Sequence, residues 1–252
     1  YISFHQDGRT LYPGTGFPEE AGSPGAWGTN INLPLLPGTG DEGLHRLYDG
    51  LISHILEDFK PELIINSAGQ DNHFSDPLAS MAVTAQGYAR LADKLQADIA
   101  VLEGGYSVES ALPYVNTGII LAMAGMDYSK VLEPDLSELR KQDPRCNKRV
   151  DQLIEQVGDL YFNRERTKKE LLQKCNGVWQ RKKHIYYDEE GIREQQVETV
   201  RYCSICDGYF TIQTAAEDTR FGDQSAFIVC LPRDICPNCK QRAYDEALRE
   251  KK

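Results

Sequence analysis

No apolar run in this 252-residue chain is long enough to span a membrane as a helix, and its first residues, YISFHQDGRT, lack the basic start and apolar stretch of a signal peptide. Both absences predict a cytoplasmic chain. Also missing is an initiator Met: the sequence opens inside a strand pattern, YISFH, so a natural N-terminus upstream is expected. Cysteine is sparse, and four of the seven form two Cys-x-x-Cys pairs near the C-terminus, which argues against a disulfide framework and for metal binding in a reducing compartment. Basic residues are scarce early on. Residues 1–133 carry 6 Lys and Arg against 17 Asp and Glu, while the remainder is nearly balanced, within a net charge of −10. An acidic first half attracts cationic partners such as Lys-rich peptides or polyamines and repels nucleic acid, although plain solubility is the simpler account.

With 40% hydrophobic residues the chain can bury one sizeable core and carry a small appendage. Residues 1–40, with YPGTG, GSPGAWG and LPGTG, read as turn-rich binding loops. Over 41–59, Leu44, Leu47, Tyr48, Leu51, Ile52, Ile55 and Leu56 recur at helical spacing behind Asp41 as a cap. ELIINSAG reads as a buried strand, TAQGYARLADKL as a helix opened by Thr84, DIAVLEGG as a second buried strand, and about 107–123 as a further helix. This alternation predicts an α/β fold, a parallel sheet with helices on both faces whose ligand sites lie at the carboxyl ends of the strands.

Two segments sit at such ends. NSAGQDNHFSDPL places Asp71, His73 and Asp76 behind one strand, and EGGY places Gly104, Gly105 and Tyr106 behind the other, so Asp71 and Tyr106 are expected to face one crevice. A carboxylate there can ligate a metal, and two glycines let the backbone pass close to a ligand while the Tyr hydroxyl points at it. The same residue types also serve as turn caps and rim aromatics, and Asp76 before Pro77 has the form of a turn residue.

Four stretches, in order over residues 1 to about 125, carry a resemblance: ISFHQDGRTLYPGTGFPEEAG, GTNINLPLLPGTGDE, LIINSAGQDNHFSDPLA and VLEGGYS. Together they resemble the C-terminal part of the catalytic domain of the histone deacetylase and acetylpolyamine amidohydrolase family, which has the arginase-deacetylase fold. The resemblance implies zinc-dependent hydrolysis of the acetamide of acetyl-lysine, in a peptide or protein, or of an acetylated polyamine or other small acetyl-amine. It implies Asp71 as a ligand of the catalytic Zn2+ and Tyr106 as the donor to the substrate carbonyl and oxyanion. Tyr12, Gly104 and Gly105 fall at the channel for the alkyl chain. Ser3, through its hydroxyl, and Phe4, through its carbonyl, match positions that hold a monovalent cation, K+, beside the zinc. His73 recurs in the motif without an implied zinc role. Gln70 departs from the family, which has an aromatic before the aspartate. The family's paired histidines and its Asp-x-His ligands lie N-terminal to ISFH, and none of His5, His45, His54, His73 or His184 belongs to a His-His pair. The expectation is one of three zinc ligands, no proton shuttle, and no activity from these residues alone.

The second half differs in composition. Residues 136–173 are charged and helical in pattern after Pro144, with Val150, Leu153, Ile154, Val157, Leu160 and Tyr161 as an apolar stripe. This suggests a deacetylase-like part over 1–133, a helical linker over 134–175 and a small β-rich module over 176–252. In that module VWQRKKHIYYDEEGIREQQVETVRYC reads as two strands around a turn at Glu189, Glu190 and Gly191. Cys203 and Cys206, then Cys236 and Cys239, can wrap a tetrahedral structural Zn2+ in a zinc-ribbon-like module, Gly208 and Pro237 suit the knuckle turns, and the 29 intervening residues must form a hairpin or loop. Cys230 is worse placed as a ligand, and Cys146 and Cys175 are expected to be ordinary thiols. Such a module could dock a protein partner, and a noncatalytic adaptor is the rival to the enzyme. QRKKH near Trp179 and Tyr186 permits nucleic-acid contact, yet the near-neutral balance favours a solvated strand face.

Overall fold

INLPL, which the turn signals on either side hide, is a fully buried strand. β2 (Ile31–Leu35) pairs in parallel with β1 (Ile2–Gln6), in register from Ile2 opposite Ile31 to Gln6 opposite Leu35. Pro34 disguises it in the sequence, because proline normally demotes a run from strand. The computed structural model describes all residues except 138, 140, 188–190, 219, 221 and 251–252, and it divides into two units, 1–20 with 31–162 and 21–30 with 163–252.

In the first unit the amphipathic stretch forms α1 (Asp41–Leu47), a π-helical turn (Tyr48–Ile52) and α2 (Ser53–Phe59). Asp41 is not its cap. Gly40 occupies that position, and Gln142 Oε1 accepts the N–H of Gly40 at 2.7 Å and of Gly43 at 3.2 Å, doing the capping from a distance in sequence. Asp41 instead accepts the Thr84 N–H at 2.8 Å and hydroxyl at 2.7 Å, and burial outweighs these bonds to raise its pKa. Thr84 caps α3 (Ala85–Leu95) by accepting the Gly87 N–H.

β3 (Ile65–Ala68) and β4 (Ile99–Leu102) flank α3 and pair in parallel, Ile65 opposite Ile99 through Ala68 opposite Leu102. Neither strand is buried as the apolar runs suggested: Ile65 is 56% and Leu102 71% exposed. Each strand has only the other as neighbour among the described residues, so apolar side chains remain in solvent. α4 (Leu112–Met123) starts later than expected, because residues 107–111 form a turn whose Ser107 carbonyl accepts from Ala111 and Leu112. The unit is a mixed α/β fold with parallel strand pairs and packed helices.

The expected linker divides at Asn163. α5 (Pro144–Phe162) buries Val150, Leu153, Val157 and Tyr161 in the same core as β2 and α1, while α6 (Arg164–Cys175), which has no buried residue, belongs with the second unit. The stripe on α5 is thus core, and α6 lacks one. Arg46 forks onto Asp151 of α5 at 2.6 and 3.0 Å, an exposed pair that solvent screens and that adds little to stability.

The second unit carries an antiparallel sheet in the order β5 (Val178–Tyr187), β6 (Ile192–Arg201), β7 (Tyr209–Glu217) and β8 (Gln224–Cys230), followed by α7 (Pro237–Glu250). A turn at Gly191 precedes β6, and of the expected turn residues Glu189 and Glu190 lie outside the described residues. β7 and β8 make the hairpin between the two cysteine pairs. Tyr209, Cys239 and Ala243 centre a core that is small for the unit's length. Residues 21–30 join this unit through a 3₁₀ turn (Pro24–Ala26), where the Gly25 N–H donates to the Tyr202 hydroxyl oxygen at 2.9 Å. No described helix is long and apolar enough to cross a membrane.

Candidate active site and metal centre

Gly104 marks where the two strand ends meet. A Cβ there would lie 3.2 Å from Asp71 Oδ2 and 3.6 Å from the Tyr106 hydroxyl, so the bare backbone leaves a cradle flanked by both groups. The Gln70 N–H donates to the Gly104 carbonyl at 2.8 Å, tying the two loops directly behind that cradle. Burial, reinforced by the charge of Asp76, raises the Asp71 carboxyl pKa, while its own N–H pulls the other way. Tyr106 is half-exposed.

The neighbours expected to line the site are spread around this point. Gly105 packs so closely that a Cβ would meet Gln70 and Leu112, and the buried Gln70 amide donates to Asn116 Oδ1, filling the place of the family's aromatic with a polar tie. Tyr12 lies in the loop after β1, 57% exposed. Phe4 packs partly buried against the core. The Ser3 hydroxyl lies 2.9 Å from His5 Nδ1, and His5 Nε2 lies 3.1 Å from the Gly16 carbonyl, so Nε2 carries the proton and Nδ1 accepts from Ser3.

His73 is fully buried and both its nitrogens are engaged. Nδ1 accepts the Ser75 N–H at 3.2 Å and lies 2.9 Å from Ser75 Oγ, while Nε2 donates to Glu133 Oε1 at 2.9 Å. Burial alone would raise Glu133, but the bonds from His73 and the Ala85 N–H hold its carboxyl below the usual range. Asp76 is a turn residue and more. Oδ1 accepts from Leu78 and Ala79 at 2.9 and 3.2 Å, and Oδ2 accepts the Tyr106 N–H at 2.8 Å. Glu133, Ser75 and Ser107 escape sequence reading, since Glu133 is 60 residues from its partner and the serines carry no local signal.

In the second unit the Sγ atoms of Cys203, Cys206, Cys236 and Cys239 lie within 4.8 Å of one another, with Cys203 and Cys236 4.0 Å apart. A Zn–S bond of about 2.3 Å in a tetrahedron sets sulfurs about 3.8 Å apart, so the set fits such an ion. Ile205 N–H donates to Cys203 Sγ and Gly208 N–H to Cys206 Sγ, each at 3.4 Å. Backbone N–H groups of Ile205 and Cys206 bring the Cys203 thiol down to about 6, while burial and then the neighbouring thiols push Cys239 up to about 12. Gly208 sits at φ +79, and a Cβ would collide with the Arg201 carbonyl oxygen. Cys230 is outside the cluster. Of the basic run, Arg181 and Lys183 both pair with Glu198, at 2.6 and 2.7 Å, which offsets part of the positive charge of that strand face. A cavity of about 600 Å³ opens on this sheet beside His184, Tyr186, Arg193 and Glu217, away from the four cysteines.

Residues 1–122 match the histone deacetylase domain. Through them this part of the chain is similar to the histone deacetylase family. It is 52% identical over 156 residues to a "probable deacetylase" of Archaeoglobus fulgidus, covering 57% of this chain and 43% of the relative. It is 34% identical over 153 residues to the acetoin utilization protein AcuC of Bacillus subtilis, covering 57% and 40%. The crystal structure of the HDA15 HD domain superposes with a TM-score of 0.55 at 27% identity, over 69% of this chain and 47% of that one. The chain spans less than half the length of each of these relatives. The deacetylase match ends before the four cysteines begin.

Proposed function

We propose that the first unit supplies part of a zinc-dependent deacetylase site that hydrolyses the acetamide of acetyl-lysine in a cytoplasmic, reducing setting. The convergence of the Asp71 carboxylate and the Tyr106 hydroxyl on the Gly104 cradle, inside a histone deacetylase domain, carries this reading. Zinc, when bound beside Asp71, polarises an amide carbonyl and makes hydroxide available near neutral pH. Asp71 offers one oxygen ligand, Tyr106 donates a hydrogen bond to the carbonyl oxygen as it gains charge, and Tyr12 with Gly105 borders the alkyl chain. Ser3 and Phe4 offer a hydroxyl and a carbonyl to K+. The acidic surplus of residues 1–133 favours a cationic substrate, acetylated polyamines included.

Among the described residues no group of three His, Cys, Asp or Glu converges around Asp71. The described residues thus bring one ligand to the proposed catalytic zinc, the sequence has no paired histidines, and the expectation is that these residues by themselves turn over no acetyl-lysine. Steady turnover of an acetyl-lysine peptide by the purified chain would contradict that. In the natural gene product that carries these residues, Tyr106→Phe lowers kcat by on the order of 10²-fold with KM little changed, as loss of one oxyanion donor does. An unchanged kcat sinks the role given to Tyr106.

The four cysteines hold a structural zinc in the second unit. All four positions are cysteine sulfurs, which leaves no open position for a substrate on a tetrahedral ion. The unit's surface is then available to a protein partner rather than to nucleic acid, given the Glu198 pairs.

A further inference from the structure

The loop that carries Tyr106 has little apolar anchorage, with Tyr106 51% and Val108 65% exposed. Its placement rests on polar ties to the loop that carries Asp71. Asp76 Oδ2 accepts the Tyr106 N–H at 2.8 Å, and the next residue, Ser107, meets Ser75 with hydroxyl oxygens 2.9 Å apart. Asp76 is 8% exposed and its other oxygen is committed to Leu78 and Ala79, so it cannot swing away without breaking its own turn. Ser75 is in turn held by His73, which is held by Glu133, and Glu133 also accepts the Ala85 N–H at the start of α3. We propose that Asp76 and Ser107 are positioning residues that clamp the Tyr106 loop to the Asp71 loop on either side of the tyrosine, so that its hydroxyl stays at the Gly104 cradle. Their catalytic meaning rests on the reading of Tyr106 as an oxyanion donor; the clamp itself does not.

The test is amide hydrogen exchange by NMR on the full 252-residue chain. In Asp76→Asn the Tyr106 amide is expected to exchange at least tenfold faster, and in Ser107→Ala about threefold faster, while the amides of Leu91 in α3 and Val115 in α4 keep their rates. A purely structural role would speed all of these together. Unchanged Tyr106 exchange in Ser107→Ala, a variant that leaves the Asp76 turn intact, or a uniform rise across α3 and α4 in either variant, overturns the clamp. Loss of activity in Tyr106→Phe tests the deacetylase reading separately and has no bearing on these rates.

Discussion

The second unit gathers four thiol ligands from residues 203 to 239, whereas the first brings one carboxylate, Asp71, beside one phenol, Tyr106. The cysteine set is complete within two knuckles and a hairpin, and its ligand spacing already suits an ion. The proposed Asp71 site is assembled from the ends of two strands, and as a zinc site it would need ligands that the described residues do not bring to it. A metal centre whose ligands lie close in sequence can fold around its ion as a small domain; one whose ligands come from several strand ends depends on the whole sheet. The two sites should therefore respond oppositely to perturbation, one through stability and the other through chemistry.

The largest expected effect is on the thiol site. Cys239→Ser should abolish zinc retention and, because zinc binding contributes on the order of 10 kcal/mol to domains of this kind, remove the cooperative unfolding of the second unit while the first unit melts as before. A second unit that keeps its melting transition in this variant would break the comparison. Next comes Gly208→Ala, which forces a side chain into a φ +79 position against the Arg201 carbonyl and should cost the second unit about 3 kcal/mol in denaturant unfolding.

The first unit should show its own acid sensitivity. His45 is buried with neither ring nitrogen hydrogen-bonded among the described residues, and burial, with Lys94 and Arg90 adding to it, lowers its pKa to about 4. The folded state thus keeps His45 neutral while the unfolded state takes up a proton below about 6.5, so this group's cost to stability grows as pH falls from about 6.5 towards 4. His45→Leu should remove about 2 kcal/mol of that pH dependence, read as a flatter stability curve between pH 6.5 and 4.5. A curve as steep as the parent's would shift the effect to other groups. The smallest stability effect belongs to Tyr106→Phe, within about 0.5 kcal/mol by thermal unfolding, because the ring is half-exposed and the clamp acts on its backbone.

Local signals in the sequence pointed to both candidate sites. The two Cys-x-x-Cys pairs and the strand ends before Asp71 and Tyr106 are short-range patterns, and Thr84 as a cap follows from one turn of helix. What escaped was long-range. β2 hid behind Pro34 and flanking turns, Gln142 caps α1 from 102 residues away, and Glu133 reaches His73 across 60. The apolar runs of β3 and β4 predicted burial, but burial depends on neighbouring strands, and each has one among the described residues. The stripe on α5 was legible as helix but not as core of the first unit, since periodicity says which face is apolar and not what covers it.

Zinc counting by native mass spectrometry on the intact chain tests the contrast between the two sites most directly. One zinc per chain, lost in Cys239→Ser and kept in Asp71→Asn, is the expected result. Two zincs per chain, or a single zinc that leaves with Asp71→Asn and stays in Cys239→Ser, would contradict it.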